Sequence, residues 1–199
     1  MPIETPKETV IKVVFVGEPN SGKSEIIKKH LKLDHIAKPT VFDTYRIRHG
    51  DSNTFMNICD TNGSEELARL VKMSYLDADV FVLCIECVNA KDNLHFQQLM
   101  KELRRPNKPI ILAVTKCDKT VRGRDEQSGE VVTSDMVTSN LELVRNNAHE
   151  MVNKQKLTSY VLVSNKRAKS VQALFDEVVR VYFDEVVNRG VERSCCGCC

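Results

Sequence analysis

The stretch Gly17-Glu18-Pro19-Asn20-Ser21-Gly22-Lys23-Ser24 constrains this chain more than any other. It follows the β-rich run Val10 to Val16. It opens a segment, Lys23 to Leu33, whose Ile26, Ile27, Leu31 and Leu33 share one side of a helix. A turn of the form G-x-x-x-x-G-K-[ST] between a strand and a helix is a cradle for a phosphate chain. Glycines let successive backbone N–H groups curl inward, and the helix N-terminus adds the positive end of its dipole. Lys23 is placed to reach the β- and γ-phosphates, and the Ser24 hydroxyl to bind Mg2+. Pro19, Asn20, Ser21 and Gly22 complete the cradle. The loop alone accepts either ATP or GTP.

The rest of the chain alternates strands with helices. Tyr45 to Arg48 and Thr54 to Cys59 read as strands joined by the turn-rich His49 to Asn53. Ser64 to Lys72 reads as a short helix. Val80 to Ile85 and Ile110 to Val114 are apolar enough for central parallel strands. Asp92 to Arg104 is helical in pattern and stops before Pro106. Ser159 to Val163 is a sixth strand, and Ser139 to Lys156 and Val171 to Val187 are the last two helices. This order predicts an α/β fold: a six-stranded, mostly parallel sheet with helices on both faces and one antiparallel strand at an edge. Lys119 to Asp135 is polar without periodicity and reads as an exposed insertion.

A chain of 199 residues suits one domain with a sizeable core. A formal net charge of +2 points to no nucleic-acid partner. No apolar run approaches the roughly 18 residues that a membrane-spanning helix needs. Residues 1–9 read as a flexible, polar N-terminus without the apolar stretch of a signal peptide, so cytosolic synthesis is expected. Of the 8 cysteines, Cys59, Cys84, Cys87 and Cys117 lie in or beside apolar runs and read as reduced, buried small hydrophobes.

Two further elements speak to a base. Thr115-Lys116-Cys117-Asp118 ends the IILAV strand, where open α/β sheets bind ligands. A carboxylate at Asp118 can accept hydrogen bonds from both N1–H and the exocyclic amine of guanine, a donor pair that adenine lacks. Lys116 would pack its stem along the base and brace the phosphate loop. Ser164-Asn165-Lys166 follows the last strand and could present N–H groups to the base oxygen. Asp60-Thr61-Asn62-Gly63 follows the Thr54–Cys59 strand. There Asp60 could hold Mg2+ through water, and the Gly63 N–H could meet the γ-phosphate.

With these motifs in this order, the chain resembles the small GTPases of the Ras superfamily, and within it the Rho family. Pro39-Thr40-Val41-Phe42-Asp43-Thr44-Tyr45 is similar to the Rho first switch, and Ser74 to Val80 to the segment after the second. The polar insertion after Asp118 also fits. The resemblance runs from about Val10 to Val187. It implies that Thr40 binds Mg2+ and the γ-phosphate, and that residues around 36–45 and 61–75 change shape with the nucleotide. It implies GTP and GDP as ligands, and effectors, exchange factors and prenyl-binding chaperones of Rho type as partners. A monomeric switch with a role in actin organisation is expected.

The departures point to altered chemistry. Ser64 stands where the family has the glutamine that orients the attacking water. Asn62 replaces a small residue, and Pro19 replaces a loop glycine and removes an N–H. Catalysis would rest on Lys23, Thr40, Mg2+ and backbone donors, with Ser64 too short to replace glutamine. Rnd-type Rho proteins share that serine and are regarded as poor GTPases, so weak hydrolysis is expected. Family members also place an aromatic ring beside the guanine, before the first switch. Here no Phe, Tyr or Trp lies between Ser24 and Val41, and Leu33 or His35 takes the place. Aromatic–base contacts are worth roughly 1–3 kcal/mol, so release about ten-fold faster or more is expected.

The division is thus residues 1–9, a nucleotide-binding domain over 10–188, and a tail over 189–199. The tail ends Ser194-Cys195-Cys196-Gly197-Cys198-Cys199. Its last four residues can be read as a prenylation box with an unusual final residue, or Cys198-Cys199 as a Rab-type double prenylation site. Cys195 and Cys196 are candidates for palmitoylation, the second signal that stable anchoring needs where Glu192 offsets Arg189 and Arg193. Four cysteines in five residues do not easily surround a tetrahedral zinc without outside ligands. Attachment to the cytoplasmic side of the plasma membrane, with a cytosolic pool, is expected. A GTP-bound scaffold with negligible turnover and a Rab-like trafficking protein are the rival readings.

Overall fold

Alternate side chains of β1 (Thr9–Val16) leave on opposite faces of the sheet, and each set finds its own core. Ile11, Val13 and Phe15 pack in one cluster with Ile26, Ile27, Leu174, Phe175 and Val178. Val14 and Val16 pack in the other with Tyr75, Met100, Leu103, Ala148 and Met151. A strand buried on both faces needs the continuous apolar run seen in the sequence. The computed structural model describes residues 8–34, 41–87, 94–104, 108–118 and 134–188.

The sheet continues with β2 (Phe42–Arg48), β3 (Thr54–Thr61), β4 (Val80–Glu86), β5 (Ile110–Thr115) and β6 (Ser159–Leu162). The strand order is β2-β3-β1-β4-β5-β6. Only the β2–β3 pair is antiparallel, which puts the expected hairpin at one edge. The helices are α1 (Lys23–Leu31), α2 (Ala68–Val71), α3 (Leu94–Leu103), α4 (Ser134–Gln155) and α5 (Ala168–Val181). No described helix is long and apolar enough to cross a membrane.

Several boundaries differ from expectation. The hairpin runs further, from Phe42 paired with Thr61, because an edge strand tolerates polar residues that break an apolar pattern. The helix expected over Ser64 to Lys72 is broken into a 3-10 turn at Glu65–Leu67, α2, and a second 3-10 turn at Lys72–Tyr75. Val71 and Tyr75 anchor it to the core, while Leu70 and Met73 are exposed. Helix α4 begins at Ser134, so the last two residues of the expected insertion are helical; residues 119–133 lie outside the described residues. Helix α5 ends at Val181 and widens into a π-helical segment, Tyr182–Asn188.

Candidate nucleotide site

The phosphate loop leaves β1 at a sharp corner. Gly17 has φ 143°, and a Cβ there would run into the Cys84 carbonyl of β4. Gly22, at φ 95°, forms the N-terminal boundary of α1, and no side chain caps the helix. The first-turn amides therefore face the cleft without a side-chain acceptor, the arrangement that suits a phosphate. Asn20 holds the left-handed region at φ 61°. Lys23 is only 5% exposed and folds back over the loop. Its Nζ donates to the Gly17 and Glu18 carbonyls at 2.9 Å each and to Ser21 Oγ at 3.3 Å.

The loop is tied to the far side of the sheet. Thr115 Oγ1 donates to the Ser21 carbonyl at 2.6 Å. This is the brace expected of Lys116. The Lys116 ammonium goes instead to Glu86 Oε2, at 2.9 Å. Both residues sit at strand ends brought side by side by the β4–β5 register, in which Glu86 pairs with Thr115.

A cleft of about 640 Å3 opens here, lined by Pro19, Asn20, Gly22, Lys23, Ser24, Asn62, Gly63, Ser64 and Lys116 among others. Glu25 and Glu66 add acidic groups to its lining. Gly63 lies directly against the phosphate loop, where a Cβ would meet the Gly17 carbonyl and Pro19 nitrogen. Asn62 Oδ1 accepts the Ser64 N–H at 3.0 Å, and the Asn62 N–H donates to the Val41 carbonyl at 2.8 Å. The amide that follows Gly63 is thus used inside the turn. A smaller cavity of about 250 Å3 adjoins, between Thr61–Ser64, α2 and Leu99 of α3.

Asp60 ends the parallel register of β3 with β1, opposite Phe15. Its side chain is fully buried, and neither carboxylate oxygen has a hydrogen-bond partner among the described residues. Burial raises its pKa, while the nearby Ser24 hydroxyl and Lys23 ammonium pull the other way without fully offsetting it. A buried carboxylate left this way beside a serine hydroxyl fits a hard divalent cation. The sequence placed Ser24 and Asp60 around Mg2+, and the structure brings them together. Thr40, the third expected ligand, lies outside the described residues, as do His35 and Cys195, Cys196, Cys198 and Cys199.

At the other end, Asp118 is fully engaged. Ser164 Oγ donates to Oδ1 at 2.9 Å, and the Lys166 ammonium sits 2.5 Å from Oδ2. Burial pushes its pKa up, but these two hydrogen bonds outweigh it and hold the carboxyl below its ordinary value. The Ser164 turn is clamped by Ser170 of α5, whose hydroxyl accepts the Ser164 N–H at 3.1 Å. Asn165 is half-buried in that turn. Leu33, one of two residues expected beside the base, is 43% exposed.

Sequence reasoning missed Glu86, Ser170 and the bracing role of Thr115. Glu86 carried a signal, being a lone charge at the end of an otherwise apolar strand. Ser170 carried none.

The Ras family, as a sequence model, matches residues 12–184. The chain is 28% identical to Rho-related protein racC of Entamoeba histolytica, over 96% of this chain and 97% of that one. It is 27% identical to Rho-related GTP-binding protein RhoB of Homo sapiens, over 94% and 95%. The same identity, 27%, relates it to Rho-related protein racE of Dictyostelium discoideum, over 94% and 82%.

Proposed function

The chain belongs to the Ras family, and we propose that this small GTPase is a Rho-type switch that hydrolyses GTP slowly and exchanges nucleotide quickly. One observation carries the reading. Ser64 stands in place of the catalytic glutamine, and its amide is spent on Asn62 Oδ1 at 3.0 Å. Hydrolysis needs a group that orients the attacking water and donors aimed at developing charge. A serine side chain does not span that distance, and its amide is directed into its own turn. Glu25 and Glu66 in the cleft lining supply no donor for that charge.

The remaining residues take the roles their positions allow. Lys23 exchanges the Gly17 and Glu18 carbonyls for phosphate oxygens. The uncapped amides at the start of α1 bind the phosphate chain, with Pro19, Asn20 and Ser21 shaping its path. Ser24, Asp60 and Thr40 hold Mg2+, which when bound neutralises charge on the β- and γ-phosphates. Asp118 reads guanine, Ser164 and Asn165 frame its oxygen, and Lys116 and Lys166 flank the ring. Residues around 36–45 and 61–75 present the GTP-bound shape to effectors. The tail cysteines anchor the protein to the cytoplasmic side of the plasma membrane, and actin signalling is the output.

A single-turnover assay tests this. Purified protein is loaded with GTP and Mg2+, and the bound and released nucleotide is identified over several hours. Persistence of GTP, or its release intact, is the expected result. Accumulation of GDP at the rate of a glutamine-bearing relative overturns the reading. Ser64→Gln should raise hydrolysis; if it does not while GTP persists, the scaffold reading with a wider defect takes its place.

A further inference from the structure

We infer that Glu86 is a positioning residue of the base end: by holding the Lys116 ammonium it withdraws that charge from the nucleotide and shortens nucleotide residence. The argument begins with geometry. Lys116 lines the cleft and stands in the left-handed region at φ 58°. The end of β4 grips it twice. Glu86 Oε2 takes its ammonium at 2.9 Å, and Cys87 Sγ donates to its carbonyl at 3.4 Å. The pair is well sheltered, with Lys116 27% and Glu86 15% exposed. Sheltered ion pairs are held more firmly than exposed ones and are less screened by salt.

Charge then decides the effect. A lysine in a phosphate-binding cleft attracts a polyanion, and every charge-assisted hydrogen bond it gives to ligand or loop slows dissociation. Glu86 neutralises that attraction from the protein side. The phosphate loop keeps its rigidity by another route, through Thr115 and Ser21 at 2.6 Å. The brace that a free Lys116 would add is therefore absent without the loop coming loose. This inference deepens the fast-release part of the proposed function and rests on the base end described above.

The sign of the effect separates this role from a structural one. A residue that merely holds the chain together speeds release when lost. The test uses the full-length chain loaded with N-methylanthraniloyl-GDP and chased with unlabelled GDP at fixed Mg2+. Glu86→Gln should slow release about three- to ten-fold, the net value of one partly solvent-exposed hydrogen bond regained. Glu86→Asp, which keeps the charge, should stay within about two-fold of the parent. In a Lys116→Met background, Glu86→Gln should change nothing. Unchanged or faster release in Glu86→Gln overturns the inference, as does equal slowing in the Asp variant or in the Lys116→Met background. Because each readout is a ratio, a slow parental rate defeats fast exchange while leaving this inference standing.

Discussion

Asp60 and Asp118 stand at the two ends of the proposed nucleotide site, and their surroundings are opposite. Asp60 is buried, its two oxygens meet no hydrogen-bond partner within bonding geometry among the described residues, and burial raises its pKa against the pull of Ser24 and Lys23. Asp118 has a hydroxyl on one oxygen and an ammonium on the other, and its pKa is lowered. The phosphate end carries a desolvation cost that a bound cation would relieve. At the base end the carboxylate is already partnered within the protein, so an incoming guanine would compete with Lys166 and Ser164 for it. One end is thus organised by what binds, the other before binding. Affinity at the first should follow Mg2+, and at the second the identity of the base.

Lys23→Met attacks the phosphate end with the largest expected effect. It removes the charge proposed to meet the phosphates and takes the ammonium donor from the Gly17 and Glu18 carbonyls. A loss of GDP affinity of about 100-fold or more is expected by calorimetric titration. A loss below about ten-fold would mean that the loop amides carry phosphate binding alone.

Asp60→Asn should act in two directions. Without nucleotide or Mg2+, removing a buried charge whose desolvation Ser24 and Lys23 do not fully offset should stabilise the fold by about 1 kcal/mol in denaturant melts. In the presence of both, affinity should fall about ten- to 100-fold. The pH dependence has the matching sign. A raised carboxyl pKa favours the protonated fold, so the parent should recover the Asp60 cost as pH falls toward the carboxylate range, and Asp60→Asn should not.

Asp118→Asn should leave stability nearly unchanged, since Lys166 is 59% exposed and pairs of that kind contribute about 1 kcal/mol or less. Its effect belongs to recognition: affinity for GDP should drop about ten-fold or more while affinity for XDP rises. A large stability loss would show that the base end is structural first.

Acid titration sharpens the comparison only if His30 is accounted for. This ring stacks on Phe175 at 3.6 Å between centroids, and burial, then the neighbouring His49, lowers its pKa to about 4 against a contrary pull from Asp176. The unfolded chain takes up the proton near pH 6.5, so the neutral, folded His30 stabilises the protein fully above that value and progressively less as pH falls toward 4. A loss of about 3 kcal/mol over that window is expected, and His30→Gln should flatten it.

Much of this was legible in the sequence. The phosphate loop was, because its spacing encodes a backbone path that few other purposes need. The central strands were, because burial on both faces demands unbroken apolar runs. Asp60 could be placed beside Ser24 because Asp60 lies at the end of β3, and Ser24 opens α1 just after the adjacent strand β1 and its loop. The partners of Lys116 were not legible. Glu86 lies 30 positions away and Ser21 lies 94 positions from Thr115, and only the sheet register brings these groups together. Nor was the break in the helix after Gly63, because exposed Leu70 and Met73 give an apolar pattern without marking which residues are buried.

The contrast between the two aspartates is tested most directly by titrating GDP into the parent, Asp60→Asn and Asp118→Asn proteins, each with Mg2+ and with chelator. Mg2+ should tighten GDP strongly in the parent and in Asp118→Asn, and hardly at all in Asp60→Asn. Retention of the full Mg2+ effect in Asp60→Asn, or its loss in Asp118→Asn, would contradict the account.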